Sequence, residues 1–279
     1  MPALLSHFSE IAANYDVLLC DVWGVVHNGV VAFPQACDAL MRARRGGATV
    51  IFITNAPRPS DVVARQLAAL HVPRETYDAI VSSGDVTRAV IAQRAGQTVF
   101  HLGPERDVEI FTGLNVQFAP LERADYVVCS GLDDDERDTP EDYRERLEGM
   151  LARKVFMVCG NPDVVVDRGD KRIYCAGALA DLYVSMGGDV LYAGKPYRPI
   201  YEMALAKADR KAELGRVLAI GDSVRTDLTG ARDFGADFLF VTSGIHAQEL
   251  DAGGDALAGA LYSVLGGERP KAAMRKLVW

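Results

Sequence analysis

Short apolar runs closed by polar or glycine-containing turns alternate along this chain with stretches whose apolar residues recur at helical spacing. Residues 4–13 have that spacing and predict a short leading helix. Residues 16–21 form the first strand. Pro34 opens a helix over 34–45 that Gly46 and Gly47 stop. Residues 48–53 are a continuous apolar, β-branched strand ending in Thr54 and Asn55, and Ser60 sits at the cap of a helix over 60–70. Strands buried on both faces cannot alternate polar with apolar positions. Continuous apolar strands separated by helices therefore predict a parallel sheet covered on both sides.

From about Val81 the alternation continues with different details. Helices are expected over 85–94, up to about 152, and over 176–186, 199–207 and 226–234. Strands are expected over 98–102, 126–129, 155–159, 190–192, 216–220 and 237–241. Residues 250–265 look helical but are interrupted by Gly253 and Gly254, and no fixed-period repeat is evident. The segment 167–177 has two open readings, a specificity loop or an ordinary connection.

Composition narrows the class. The 279 residues are 49% hydrophobic and 24% charged, an ordinary globular balance, and the net charge of -8 argues against a nucleic-acid partner held by phosphate neutralisation. Arg42, Arg44 and Arg45 read as the solvated carboxyl end of a helix, where positive charge suits the dipole. The five cysteines, at 20, 37, 129, 159 and 175, are odd in number and form no CxxC pair, so neither a disulfide framework nor a zinc site is expected. The acidic run Asp133, Asp134, Asp135, Glu136 lacks the spacing and glycine of an EF-hand loop and reads as a solvated loop. No stretch has the continuous apolar character of a signal peptide or a membrane span. A cytoplasmic protein with no membrane partner is expected.

Four polar constellations directly follow apolar strands: Asp21; Thr54 with Asn55; Lys195; and Asp222 through Asp227 in Gly221-Asp222-Ser223-Val224-Arg225-Thr226-Asp227. In a parallel sheet the carboxyl ends of all strands share one edge, so these residues can converge. Each has a bland reading alone: Asp21 as a turn cap, Thr54 and Asn55 as turn chemistry, Lys195 as a solvated charge. Together they are chemically coherent. Asp21 and Asp222 offer the oxygen ligands Mg²⁺ prefers, while Lys195, the Thr54 hydroxyl and Asn55 can meet phosphate charge. Asp21 can then attack phosphorus and form an aspartyl phosphate that water hydrolyses.

The order of Asp21, Thr54 and Asn55, Lys195, and Asp222 to Asp227 resembles the four motifs of the haloacid dehalogenase superfamily. The insert of roughly a hundred residues between the second and third motifs resembles a class IIA cap, as do Gly160-Asn161-Pro162-Asp163 and Ala176-Gly177-Ala178. The resemblance implies an α/β fold with a doubly wound parallel, Rossmann-like core from residues 1–81 and 184–279, and an inserted α/β cap over 82–183. It implies a Mg²⁺-dependent phosphohydrolase acting on a small phosphorylated metabolite, with a homodimer formed through the cap. Asp21 would be the nucleophile and a metal ligand, Asp222 a metal ligand, and the backbone carbonyl at Trp23 a further one. Asp227 would order the metal shell or Lys195. Thr54 and Lys195 would hold the phosphoryl group, with Asn55, Trp23, Asn161 and Asp163 among the substrate contacts.

One position departs from the pattern. The family's first motif has a second aspartate, a general acid and base, where this chain has Trp23. An indole N–H donates only and cannot shuttle a proton, and such catalysis typically contributes about a hundred- to ten-thousand-fold. Three readings are open. The substrate has a leaving group that needs little protonation, as in an acyl phosphate or phosphoanhydride; another residue such as His27 supplies the proton; or the site binds a phosphorylated ligand without turnover. His27 has its own bland reading as a loop histidine bonded to backbone, and Trp23 as an apolar wall.

Overall fold

A computed structural model describes residues 2–168, 171–209, 212–250, 260–261 and 263–279. In chain order the strands are β1 (Ala3–Leu4), β2 (Val17–Cys20), β3 (Thr49–Thr54), β4 (Ala79–Ser82), β5 (Thr98–Leu102), β6 (Gln117–Phe118), β7 (Tyr126–Cys129), β8 (Phe156–Cys159), β9 (Val165–Arg168), β10 (Lys171–Tyr174), β11 (Val190–Tyr192), β12 (Val217–Gly221), β13 (Asp237–Val241) and β14 (Ala272–Met274). The chain divides into two compact units, one of Met1–Thr54, Ala64–Val81 and Tyr201–Trp279, the other of Asn55–Val63 and Ser82–Ile200.

The first unit is built on a sheet of order β1-β14-β13-β12-β2-β3-β4. The pairs of β2 with β3 and β12, of β13 with β12 and β14, and of β14 with β1 are parallel. From β2 the chain steps outward to β3 and β4, then returns on the other side of β2 as β12, β13 and β14. The strand order therefore reverses at β2, and such a switch point opens a crevice beyond the strand ends. Val17, Leu18, Leu19 and Cys20 are all fully buried, which explains why β2 reads as an unbroken apolar run.

The second unit has its own sheet, of order β11-β8-β7-β5-β6 with parallel pairs, and an antiparallel hairpin of β9 and β10. Its core joins Leu102, Val127, Met157 and Cys159 of the sheet to Leu147 and Met150 of the helix Arg144–Ala152 and to Leu179 and Tyr183 of the helix Ala176–Ser185. β11 pairs with β8, so this sheet runs past residue 183, where the sequence reading ends the insertion.

The helix at Pro34–Arg45 and the strands at Thr98–Leu102, Tyr126–Cys129, Val190–Tyr192 and Asp237–Val241 lie where the periodicity puts them. Four expectations change. The leading helix is only Ser9–Ala12, and Leu4 instead pairs with β14. The segment 167–177 is no loop: it holds parts of β9 and β10 and the start of the following helix, with Gly169 and Asp170 outside the described residues. Asp135 is not solvated but mostly covered and paired with Arg106 and Arg168. Arg44 is not simply a solvated helix end, since its guanidinium grips Asp78 and the Glu75 carbonyl. Most of the stretch expected to be helical over 250–265 (251–259 and 262) lies outside the described residues. Among the described residues no helix is long and apolar enough to cross a membrane.

Candidate active site

In the first unit the sheet gathers the acidic residues on one edge. β12, β2 and β3 are neighbours, with Cys20 level with both Ile220 and Phe52, so Asp21, Asp222 and Thr54 emerge together at their carboxyl ends. Asp21 extends the ladder by one bond, its N–H donating to the Ile220 carbonyl at 2.8 Å. Asp21, Asp222 and Asp227 are buried, and each brings a carboxylate oxygen within 4.8 Å of the others. Thr54 is buried at the end of β3.

Local backbone chemistry fixes this cluster. The Asp227 carboxylate accepts the N–H groups of Asp222 at 3.2 Å and Ser223 at 3.1 Å, so it orders the turn that carries Asp222. The Ser223 hydroxyl accepts from the Thr226 N–H at 3.3 Å, and Val224–Leu228 forms a π-helical turn, a form frequent at functional sites. Asp222 Oδ2 accepts the Ile245 N–H at 2.7 Å. The same oxygen fills the space where side chains at Gly24 and Gly244 would go: a Cβ on either would lie 2.1 Å or 1.8 Å from it. Gly24 also has φ of +85°, a conformation other residues rarely adopt. Gly244 and Ile245 stand outside the four polar constellations read from the sequence. The available signal was a run of small residues, Thr242, Ser243 and Gly244, directly after an apolar strand.

Three close, buried carboxylates form a hard oxygen donor set of the kind that suits Mg²⁺ or Ca²⁺ rather than a thiophilic metal. The cradle of glycines around Asp222 leaves its oxygens where no side chain can displace them. The residues therefore fit a divalent cation, with Asp21 and Asp222 as direct ligand candidates and Asp227 already engaged in holding the turn.

Trp23 is half-buried in the loop after β2. Its indole lies against Gly29, where a Cβ would come within 2.5 Å of Cζ2, and meets the His27 ring edge-on at 5.1 Å. His27 is buried, and its Nδ1 accepts the Gly29 N–H at 2.8 Å. Burial pulls its pKa down to about 4. A neutral imidazole bonded to its own loop matches the bland reading of His27 rather than that of a proton carrier.

In the second unit Lys195, Asn55, Asp163 and Asn161 form a hydrogen-bonded group. Asn55 Oδ1 accepts the Lys195 N–H at 2.7 Å, and Asn55 Nδ2 donates to the Lys195 carbonyl at 3.1 Å and to Asp163 Oδ1 at 2.9 Å. Asn161 Oδ1 accepts the Asp163 N–H at 3.1 Å. The two N–H donors of the Asn55 carboxamide are thus spent inside the protein, so the expected donation from this side chain to phosphate is not what it does here. Lys195 is buried.

A model of haloacid dehalogenase-like hydrolases matches residues 18–117, and a second, HAD-hydrolase-like, matches residues 192–262. The chain is 43% identical to a crystallised hydrolase of the haloacid dehalogenase-like family from Brucella suis 1330, with a TM-score of 0.88 and 100% of both chains covered. It is 25% identical to the 5′-nucleotidase YutF of Bacillus subtilis (strain 168), over 85% of this chain and 90% of that protein. A crystallised glycerol phosphate phosphatase from Mycobacterium tuberculosis, in complex with calcium, is 26% identical with a TM-score of 0.65, over 84% of this chain and 68% of the other. With its strand-end carboxylates, its parallel sheets and a relative matching it from end to end, this chain belongs to the haloacid dehalogenase-like hydrolase family.

Proposed function

We propose that the protein is a Mg²⁺-dependent phosphohydrolase that works through an aspartyl phosphate on Asp21 and acts on a small phosphorylated metabolite. The observation that carries this reading is the buried cluster of Asp21, Asp222 and Asp227 at the switch point of the sheet. The names of the relatives, a 5′-nucleotidase and a glycerol phosphate phosphatase, support phosphate release from a small phosphorylated molecule, and the calcium in the latter supports a divalent cation.

Asp21 and Asp222, with the carbonyl of Trp23, would hold the metal, which when bound supplies positive charge to neutralise phosphoryl oxygens. A carboxylate oxygen of Asp21 attacks phosphorus, the bond from phosphorus to the leaving oxygen breaks, and the leaving group takes the electron pair. Water then attacks phosphorus, regenerating the Asp21 carboxylate and releasing inorganic phosphate. Thr54 and Lys195 hold the phosphoryl group through a hydroxyl and an ammonium, and Asp227 keeps Asp222 in register.

Trp23 shapes the substrate range. Its indole N–H cannot deliver a proton and recover it, and His27 is turned to its own loop. The leaving group therefore departs with little protonation, which favours acyl phosphates, phosphoanhydrides and aryl esters over alkyl esters. The five free, buried cysteines support a reducing compartment, the cytoplasm.

The test is a phosphate-release screen across phosphorylated metabolites and acyl phosphates with Mg²⁺, with parallel arms in EDTA and with Asp21→Asn. Release that needs Mg²⁺ and disappears in Asp21→Asn supports the reading. Saturable binding of a phosphorylated metabolite, with release no higher than in Asp21→Asn, would replace it with a phospho-ligand-binding protein.

A further inference from the structure

Asn55 has the donor and acceptor inventory of a carboxamide: two N–H donors and one carbonyl oxygen. Nδ2 faces two acceptors, the Lys195 carbonyl at 3.1 Å and Asp163 Oδ1 at 2.9 Å, and Oδ1 faces a donor, the Lys195 N–H at 2.7 Å. Only one orientation of the amide satisfies all three, so the network itself assigns it. Lys195 is gripped on both its main-chain groups, as by a neighbouring strand.

The surroundings are shaped for this grip. Gly194 has no side chain, and a Cβ there would lie 2.4 Å from Asn55 Oδ1, so the carboxamide can reach the Lys195 backbone only beside a glycine. Ala193 is held through its carbonyl by the Ser83 hydroxyl at 2.8 Å. On the other side, the Asp163 carboxylate is aimed by the turn beneath it: its N–H donates to Asn161 Oδ1 at 3.1 Å, and its carbonyl accepts the Gly177 N–H at 3.1 Å. Asn55 thus joins two hydrogen-bonded pieces of the second unit, the turn around 161–163 and the segment 193–195 that ends in Lys195.

We infer that Asn55 is a positioning residue for Lys195: its carboxamide fixes the Lys195 backbone and ties it to Asp163, and does not itself contact the phosphoryl group. This rests on the reading above in which Lys195 holds that group. A lysine side chain loses much rotamer freedom when it is held in one geometry. Fixing its main chain removes part of that freedom before any phosphate arrives, and the carboxylate of Asp163 locks the amide that does the fixing.

A double-mutant cycle separates this role from a direct phosphate contact. The probe is inorganic phosphate with Mg²⁺, followed by calorimetry, and p-nitrophenyl phosphate turnover gives KM and kcat separately. Lys195→Ala and Asn55→Ala are each expected to weaken phosphate binding by about tenfold or more, while Asn55→Ala in the Lys195→Ala background adds no more than about twofold. In turnover, Asn55→Ala is expected to raise KM more than it lowers kcat. Asp163→Ala, which removes the acceptor for Asn55 Nδ2, is expected to bind phosphate more weakly, and Asp163→Asn, which keeps a carbonyl oxygen for that donor, to lose less. If Asn55→Ala does not fold, the two Asp163 variants crossed with Lys195→Ala carry the same cycle.

Losses that multiply in the double variant would overturn the positioning role in favour of direct contact. Normal binding by Asn55→Ala beside a defective Lys195→Ala would also overturn it, while leaving the role of Lys195 intact. Normal binding by Lys195→Ala, or no phosphate binding by the parent, would overturn the underlying reading and the inference with it.

Discussion

The carboxylate of Asp222 occupies the space a side chain on Gly244 would need: a Cβ there would lie 1.8 Å from Oδ2, the oxygen that also accepts the Ile245 N–H. On its other side Gly24 makes way for the same oxygen. Three separate stretches of the first unit, after β2, after β12 and after β13, therefore meet on a single carboxylate. A glycine on either side of it is a steric requirement.

Gly244→Ala tests that requirement. The methyl group must displace Asp222 or the backbone that carries it, and a shift near 1 Å in a positioned group can cost about a hundredfold. The variant is expected to keep its far-UV circular dichroism while losing Mg²⁺ affinity by about tenfold or more in calorimetry. Unaltered Mg²⁺ binding would show that Asp222 is not a ligand.

Trp23→Asp addresses the leaving group. The parent enzyme is expected to hydrolyse acyl and aryl phosphates much faster than alkyl phosphates, with rates falling steeply as leaving-group basicity rises. Supplying a carboxyl group at this position should flatten that dependence and raise alkyl ester turnover by about tenfold or more, within the range general acid catalysis commonly contributes. The loss of packing against Gly29 and His27 is controlled with Trp23→Asn, which leaves a similar gap but offers no titrating group. Equal gains in both variants would assign the effect to space rather than to proton transfer.

Away from the site, Asp78 ties the helix Pro34–Arg45 to β3: it accepts the Arg44 Nε–H at 3.0 Å and the Val50 N–H at 2.8 Å. Burial pushes its pKa up, but the Arg44 guanidinium and the Val50 N–H outweigh it and hold the carboxyl below its ordinary value of 3.8. A depressed folded pKa contributes stability that is present above the unfolded value and is lost as pH falls through the folded one. Asp78→Asn is expected to cost about 1 kcal/mol at neutral pH, the pair being partly exposed. Thermal melts of parent and variant should converge as pH drops below the unfolded value. A gap that persists in acid would assign the loss to packing instead of charge.

Much of this was legible from residues. The sheets of parallel strands follow from continuous apolar runs such as 17–20, because only a strand covered on both faces loses its polar alternation. The cluster of Asp21, Asp222 and Asp227 follows from placing polar groups just past two such runs, 17–20 and 216–220. What the sequence hid depends on approach distances. Nothing local marks Gly244 or Gly194 as a position where a carboxylate or a carboxamide must come close. Asn55 next to Thr54 reads as phosphate chemistry until its three hydrogen bonds show that the side chain is already engaged. β1 and β14 are two and three residues long, too short for a period to register, and pair only because distant segments bring them together.

In the proposed mechanism Asp21 carries the phosphoryl group, and borohydride trapping during turnover of an acyl or aryl phosphate with Mg²⁺, followed by mass spectrometry of the peptide containing residue 21, tests this. Hydride reduces an acyl phosphate to the alcohol, so trapping is expected to convert Asp21 to homoserine in a substrate-dependent way, with no conversion in EDTA. Substrate turned over while Asp21 stays unmodified, or reduction at a different carboxylate, would rule out an aspartyl phosphate on Asp21.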